Sequence, residues 1–220
     1  MVNKLKIAPS TDPCKDKDDL FCYIKKLNNI ADFLHCDVMD KNFVSRDTLN
    51  EEDIKQIYSR TLLPLDVHLM IREPSSLIKK YKNAGAHIIT VHYEAFENKN
   101  KLIKCLKNIH KNKALAGISI KPKTAVSEIM PYLSYVDLVL VMSVEPGFSG
   151  QPFMENTYLK VKKLKQIRED YGANYKIEVD GGIVPEISKK LYVQGADIVV
   201  SGSYIYNSQD KFTAIQELKF

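Results

Sequence analysis

Apolar residues fall along this chain in two alternating rhythms. Short runs that are apolar at consecutive positions, such as Leu138-Val139-Leu140-Val141-Met142 and Ile198-Val199-Val200, alternate with longer segments in which apolar positions recur every three or four residues. The first kind reads as parallel strands covered on both faces, the second as amphipathic helices lying over them. The pattern predicts strands over residues 4–9, 30–37, 63–69, 87–92, 115–120, 136–142, 176–180 and 198–201. It predicts helices over 18–27, 51–59, 74–84, 99–112, 125–131, 155–171, 185–194 and 209–220. Pro74 and Pro185 suit first helical turns, and Gly85, Gly172 and Gly195 suit helix ends. A doubly wound sheet and a closed barrel both fit eight such units. The barrel is favoured because Ser10, His35, Asp37, His68, Met70, His92, Lys121, Met142, Asp180 and Ser201 all lie at or just past strand ends. In a (β/α)₈ TIM barrel that end carries the chemistry. With no linker, low-complexity segment or repeat beyond the βα period, residues 1–220 read as a single TIM-barrel domain.

Composition narrows the function classes. At 220 residues the chain is long enough for one full core, and 45% hydrophobic with 27% charged residues is the balance of an ordinary folded protein. The net charge of +5 comes mostly from lysine; Arg46, Arg60, Arg72 and Arg168 are the arginines. Lysines scattered beside acidic residues do not make the arginine-rich patch of a nucleic-acid binder, so no nucleic-acid partner is expected. Cys14, Cys22, Cys36 and Cys105 form neither a C-x-x-C pair nor a disulfide framework and read as reduced thiols. Cys36 alternates with His35 and Asp37, so it should point away from them and serve packing. Residues 1–10 lack an apolar leader core and no stretch has the length of a membrane span, which predicts a cytoplasmic protein without a membrane partner.

His35 and Asp37, two apart on a strand, share one face. His68 ends the next strand and Asp180 the seventh, so two nitrogen and two oxygen donors can converge on one divalent ion. Zn²⁺, Fe²⁺, Co²⁺ and Mn²⁺ all suit that set. Asp180 is followed by Gly181-Gly182, strand eight by Gly202-Ser203, and strand six by Gly147-Phe148-Ser149-Gly150. Glycine loops after strands seven and eight let backbone amides approach a phosphate. A metal beside a phosphate grip suits proton abstraction next to a carbonyl, and paired Asp37 and Asp180 could invert a stereocentre by removing a proton on one side and returning one on the other. Met39, Met70 and Met142 are core residues by default; at the site they would form a water-poor wall. His92 and Lys121 are weaker candidates.

These residues resemble the ribulose-phosphate 3-epimerase family. The resemblance spans essentially the whole chain and rests on Ile7-Ala8-Pro9-Ser10, His35-Cys36-Asp37-Val38-Met39-Asp40, Leu65-Asp66-Val67-His68-Leu69-Met70, Val141-Met142-Ser143-Val144-Glu145-Pro146-Gly147-Phe148-Ser149-Gly150-Gln151, Val179-Asp180-Gly181-Gly182-Ile183 and Ser201-Gly202-Ser203. It implies a ribulose-phosphate-binding type of barrel, an isomerase of the pentose phosphate pathway, and reversible epimerisation at C3 between D-ribulose 5-phosphate and D-xylulose 5-phosphate. It further implies metal ligation by His35, Asp37, His68 and Asp180, with Asp37 and Asp180 as acid and base. By the same resemblance Ser10 and His68 contact the sugar, Gly147, Phe148, Ser149, Gly150, Gly181, Gly182, Gly202 and Ser203 hold its phosphate, and the chain forms a homo-oligomer. The chain departs from the family's common pattern at Lys41 (commonly Gly), Ser45-Arg46 (commonly Pro-Asn), Ser149 (commonly Gly) and the polar stretch Thr11 to Asp19. None of these is a predicted metal ligand. Competing readings are an epimerase of a six-carbon ketose phosphate, a metal-dependent hydrolase and a non-catalytic sugar-phosphate-binding barrel. The decarboxylase and synthase barrels are disfavoured because the second strand carries no lysine between its carboxylates.

Overall fold

The computed structural model describes residues 4–219. Its strands are β1 (Lys6–Pro9), β2 (Leu34–Met39), β3 (Leu65–Met70), β4 (Ala86–His92), β5 (Leu115–Ile120), β6 (Leu138–Met142), β7 (Lys176–Asp180) and β8 (Ile198–Ser201). All pair in parallel, in the order β1-β8-β7-β6-β5-β4-β3-β2. The ring closes between β1 and β2 through a bridge at Ser10 and His35, with the Thr11 N–H donating to the His35 carbonyl at 2.9 Å. The expected (β/α)₈ barrel is therefore the observed architecture.

The helices are α1 (Lys17–Leu27), α2 (Glu51–Tyr58), α3 (Ile78–Asn83), α4 (Lys99–Lys111), α5 (Val126–Ile129), α6 (Asn156–Asp170), α7 (Pro185–Gln194), α8 (Ser203–Asn207) and α9 (Lys211–Lys219). Local chemistry sets several of their ends. Asn50 caps α2 by accepting from the N–H groups of Glu52 and Asp53 at 2.9 and 3.1 Å, and Asp53 accepts in return from the Asn50 N–H. Pro185 opens α7, and Gly195 closes it at φ 112°, a left-handed conformation that costs glycine little.

Several predicted boundaries shift. The strands predicted to begin at residues 4, 30 and 63 begin at Lys6, Leu34 and Leu65. Before β2 the chain turns so that Asp32 can accept from the Ile7 N–H at 2.9 Å. The helix predicted over 74–84 splits into a 3₁₀ turn, Pro74–Ser76, and α3. The helix predicted over 125–131 is only α5, followed by a 3₁₀ stretch, Met130–Tyr135. Pro131 has no N–H to continue an α-helical ladder. Helix α8 was not foreseen, and Phe220, the predicted end of the last helix, lies outside the described residues, as do residues 1–3 of the segment read for a leader.

Alternate residues of each strand serve two different interiors. Outward-facing Ile7, Cys36, Val67, Val91, Ile118, Val141, Val179 and Val199 meet the helices in a continuous apolar shell. Cys36 is fully buried there, as the alternation requires. Inside the ring, β1, β6 and β8 contribute Ala8, Leu138, Leu140, Met142, Ile198 and Val200 to a small apolar cluster. Ile88 of β4 joins it, while buried His35, Asp66, His68, Thr90, Ser119 and Glu178 make much of the remaining lumen polar. Among the described residues no helix is long and apolar enough to cross a membrane.

Candidate active site

Three strands carry chemical groups in pairs two residues apart: His35 and Asp37 on β2, Asp66 and His68 on β3, Glu178 and Asp180 on β7. Period-two alternation turns all six into the lumen. The β2/β3 register sets His35 beside Asp66 and Asp37 beside His68. His35 Nδ1 lies 2.5 Å from Asp66 Oδ2, and its Nε2 lies 3.3 Å from Asp37 Oδ1. His68 Nδ1 is 3.2 Å from that same Asp37 oxygen, while its Nε2 is 2.8 Å from His92 Nε2. His92 Nδ1 in turn lies 3.1 Å from Glu94 Oε2. Glu94 is itself fixed by the Lys121 N–H at 2.8 Å and by the Thr124 hydroxyl.

These contacts determine where the imidazole protons sit. An ionised carboxylate only accepts, so His35 Nδ1 and His92 Nδ1 carry hydrogens. Neutral His92 then accepts at Nε2 from His68. In the neutral imidazoles His35 Nε2 and His68 Nδ1 are then left as lone pairs, both directed at Asp37 Oδ1. His35 Nε2 is buried without a hydrogen-bond partner. Three electron-rich atoms facing one another call for a cation among them, and together with Asp180 they offer four ligand atoms within 4.8 Å of one another. A two-nitrogen, two-oxygen set fits a borderline divalent ion.

The same neighbours set how the cluster holds its protons. Burial opposes charging His35, but Asp37 and Asp66 override it and hold its pKa well above the usual range. Burial likewise opposes ionisation of Asp37, yet His35 and His68 hold its carboxyl below the ordinary value. Asp180 is pushed up to about 7, by burial first and then by the charge of Asp37. Burial lowers His68, and it lowers His92 to about 4. Two nearby carboxyls with opposed environments are a common arrangement for acid and base chemistry.

Above this cluster opens a cavity of about 350 Å³. Of the four donors, only Asp37 and Asp180 line it; His35 and His68 are fully buried beneath. Ser10 donates to Asp37 Oδ2 at 2.8 Å and also lines the cavity. Met39, Met70 and Met142 form part of its wall while remaining 6%, 1% and 2% exposed, so the packing and wall readings coincide. The residues Gly147, Phe148, Ser149 and Gly150 after β6, Gly181 and Gly182 after β7, and Gly202 and Ser203 after β8 all border it. Gly182 has φ 63°, and a Cβ there would lie 2.7 Å from the Phe153 backbone nitrogen, so its loop packs only because it is glycine. No lysine or arginine lines the cavity. An anion there would rely on backbone amides and hydroxyls.

His92 contacts His68, whereas the Lys121 ammonium packs 4.1 Å from the centre of the Phe43 ring. Sequence reasoning missed Asp66, Glu94 and Glu178. The signal for Asp66 and Glu178 was the one that found Asp37: a polar residue two positions from another on an apolar strand. Glu178 is fully enclosed, and burial, then the charge of Asp66, raises its pKa well above the ordinary value. Glu94 left no comparable signal, because it lies in a 3₁₀ turn after β4.

The model of the ribulose-phosphate 3-epimerase family matches residues 6–206. A ribulose-phosphate 3-epimerase of Aquifex aeolicus is 41% identical over 86% of this chain and 84% of its own. That of Bacillus subtilis is 38% identical over 86% of each, and that of Helicobacter pylori strain 26695 is 35% identical over 98% of this chain and 97% of its own. Among solved structures, KGPDC from Streptococcus mutans superposes with a TM-score of 0.74 at 13% identity, covering 98% of this chain and 96% of that one. A 3-hexulose-6-phosphate synthase superposes with a TM-score of 0.67 at 15% identity, covering 98% of each chain. Those two likenesses concern the barrel alone. Sequence similarity over nearly the full length, in a barrel whose strand ends assemble this cluster, makes the chain an epimerase that belongs to the ribulose-phosphate 3-epimerase family.

Proposed function

We propose that the chain interconverts D-ribulose 5-phosphate and D-xylulose 5-phosphate by epimerisation at C3, as a step of the pentose phosphate pathway, with one divalent ion held by His35, Asp37, His68 and Asp180. The observation that carries the reading is the pair of carboxyls, Asp37 from β2 and Asp180 from β7, that face one cavity within a cluster of four donors. When bound, the ion (Zn²⁺, Fe²⁺, Co²⁺ or Mn²⁺) supplies positive charge beside the substrate oxygens on which negative charge develops.

The remaining steps belong to side chains. One aspartate, ionised, takes the C3 proton and leaves a 2,3-enediolate. The other, protonated, returns a proton to C3 from the opposite face, and the configuration inverts. In the reverse direction the two exchange roles. Ser10, donating to Asp37 Oδ2, holds that carboxylate so that one oxygen stays turned to the cluster. The methionine wall keeps water from the enediolate. The amides of Gly147, Ser149, Gly150, Gly181, Gly182, Gly202 and Ser203, together with the Ser203 hydroxyl, receive the phosphate. Barrels commonly place it between the loops after strands seven and eight and a short extra helix, the position that α8 occupies here. The free cysteines fit a reducing, cytoplasmic setting, and assembly as a homo-oligomer follows the family.

Proton NMR of D-ribulose 5-phosphate in D₂O with metal-loaded protein tests this directly. The expected result is xylulose 5-phosphate deuterated at C3, abolished by Asp180→Asn. Turnover of a six-carbon ketose phosphate instead would reassign the substrate. Phosphate release without epimer would replace the reaction with hydrolysis.

A further inference from the structure

Two loops that border the cavity and a third beside it meet at one side chain, Arg46. Its Nε donates to the Gly147 carbonyl at 2.6 Å, its Nη2 pairs with Asp12 Oδ1, and its guanidinium packs 5.3 Å from the centre of the Phe148 ring. Asp12 also accepts a hydrogen bond from the Ser149 side chain. Asp12 comes from the loop after β1, Arg46 from the loop after β2, and Gly147, Phe148 and Ser149 from the loop after β6. Asp12, Arg46 and Ser149 each fall where the chain departs from the family's common pattern, and here Asp12 meets both of the others.

The two anchors are fixed to the barrel. The Asp12 N–H donates to Ser10 Oγ at 3.0 Å. Two residues beyond Arg46, the Thr48 hydroxyl donates to the Asp37 carbonyl at 2.7 Å and accepts from the Met39 N–H at 2.9 Å. Both anchors thus rest on residues of the site. The loop after β6 is built differently. It is stapled internally by Gln151 Nε2, which donates to the carbonyls of Glu145 and Phe148 at 2.7 and 2.8 Å, and Gly147 and Gly150 sit at φ 130° and 79°. Phe148, near its tip, is 58% exposed. Such a loop moves as a unit about glycine hinges unless something outside it holds it. On the other side of the Arg46–Asp12 pair lies a second polar cavity of about 300 Å³ that shares Asp12 and Asp37 with the first. Asp12 lines both, and Arg46 lines the second.

We propose that Arg46 is a positioning residue: with Asp12 and Ser149 it latches the loop after β6 over the phosphate end of the cavity and seals that end from the neighbouring one. The proposal rests on the reading that this loop receives the substrate's phosphate. Arg46 touches no reacting atom, so losing it loosens the grip on bound substrate and leaves the proton transfers as they were.

The chain has no tryptophan, so Phe148→Trp places a single fluorophore on the loop. Its anisotropy needs no substrate. It should fall when Arg46→Ala or Asp12→Ala is added to Phe148→Trp. In the otherwise unaltered chain, Arg46→Ala should raise KM for D-ribulose 5-phosphate about tenfold with kcat within about threefold. Asp12→Ala with Arg46→Ala should be no worse than either alone, since the residues act as one unit. Arg46→Lys keeps the charge opposite Asp12 but not the forked contact, and should not restore KM. Unchanged anisotropy, additive losses, full rescue by lysine, or a fall in kcat at constant KM would each overturn the latch. If the unaltered chain does not act on the pentose phosphate, the substrate reading fails while the anisotropy result still decides the latch.

Discussion

At the N-terminal end of the barrel, Asp32, Asp137 and Asp197 stand just before β2, β6 and β8. Each accepts from the N–H of the second residue of the preceding strand in sequence: Ile7, Ala116 and Ile177, at 2.9, 2.8 and 2.9 Å. Each also has a basic partner, Lys219 at 2.8 Å, His110 at 2.7 Å and Arg168 at 2.5 Å respectively. At the opposite end Asp37 and Asp180 sit among imidazoles and other carboxyls, with no lysine or arginine among the described residues that line the cavity the two share. One residue type is used in two ways. Where its charge is answered by donors and cations it stitches strands together; where burial and a neighbouring carboxylate oppose its charge, as at Asp180, it holds its proton to about pH 7 and is available for an ion and a proton. The strand direction assigns the roles, since in such barrels the C-terminal end carries chemistry and the other end stability.

That contrast can be broken at either end. The largest effect is expected from Asp180→Asn, which keeps the shape and removes the titrating group. kcat should fall by about 10³-fold or more, while the thermal unfolding midpoint stays the same or rises because a buried charge is gone. Steady-state kinetics beside calorimetry would show this, and a variant retaining a tenth of wild-type kcat would remove Asp180 from the proton transfers. Asp197→Ala should do the reverse. It strips the Ile177 N–H and Arg168 of their acceptor, which should cost about 2–3 kcal/mol in urea unfolding with kcat of the folded enzyme unchanged.

A third substitution tests whether the polar lumen beneath the cavity belongs to the chemical end. Asp66 holds His35 through Nδ1 and so directs Nε2 at Asp37. Asp66→Asn should weaken binding of the divalent ion by about 10- to 100-fold, measured by competition with a chelator, because the partner behind a ligating histidine fixes its tautomer and raises its basicity. Unchanged affinity would make Asp66 a packing residue.

Which of these residues could be read from the sequence follows from the range of the interactions. Alternation along a strand is local, so the eight strands, the inward turn of His35 and Asp37 and the outward turn of Cys36 were all legible. Asp66 and Glu178 obey the same rule, but their partner, His35, lies on another strand and is set beside Asp66 only by the register of β2 and β3. Helix α8, Ser203–Asn207, is five residues long and shows no period. Arg46 could not be found from local pattern. Its partners Asp12 and Gly147 lie 34 and 101 residues away, and only closure of the ring brings the three loops together.

The smallest effect concerns Glu94, which ends the relay through His92 to His68. Burial opposes its ionisation, but the hydrogen bond and charge of His92, with the Thr124 hydroxyl and Lys121 N–H, lower it from the ordinary 4.5 to about 2. As pH falls below about 4.5 the unfolded chain therefore takes up this proton before the folded one does. The stability Glu94 contributes is complete above that pH and is lost progressively down to about 2. His92 acts in the same sense at higher pH. Burial lowers it from 6.5 to about 4, so its contribution declines between those values as the unfolded imidazole charges first. Glu94→Gln removes the lower part of this dependence, and the loss of stability from pH 4.5 to 3 should be about 1 kcal/mol smaller than in the unaltered chain. Urea unfolding across that range measures the difference. If the two chains lose stability in parallel, Glu94 is no more ionised by folding than a surface carboxylate, and the proton assignment that leaves His68 Nδ1 bare would lose its support.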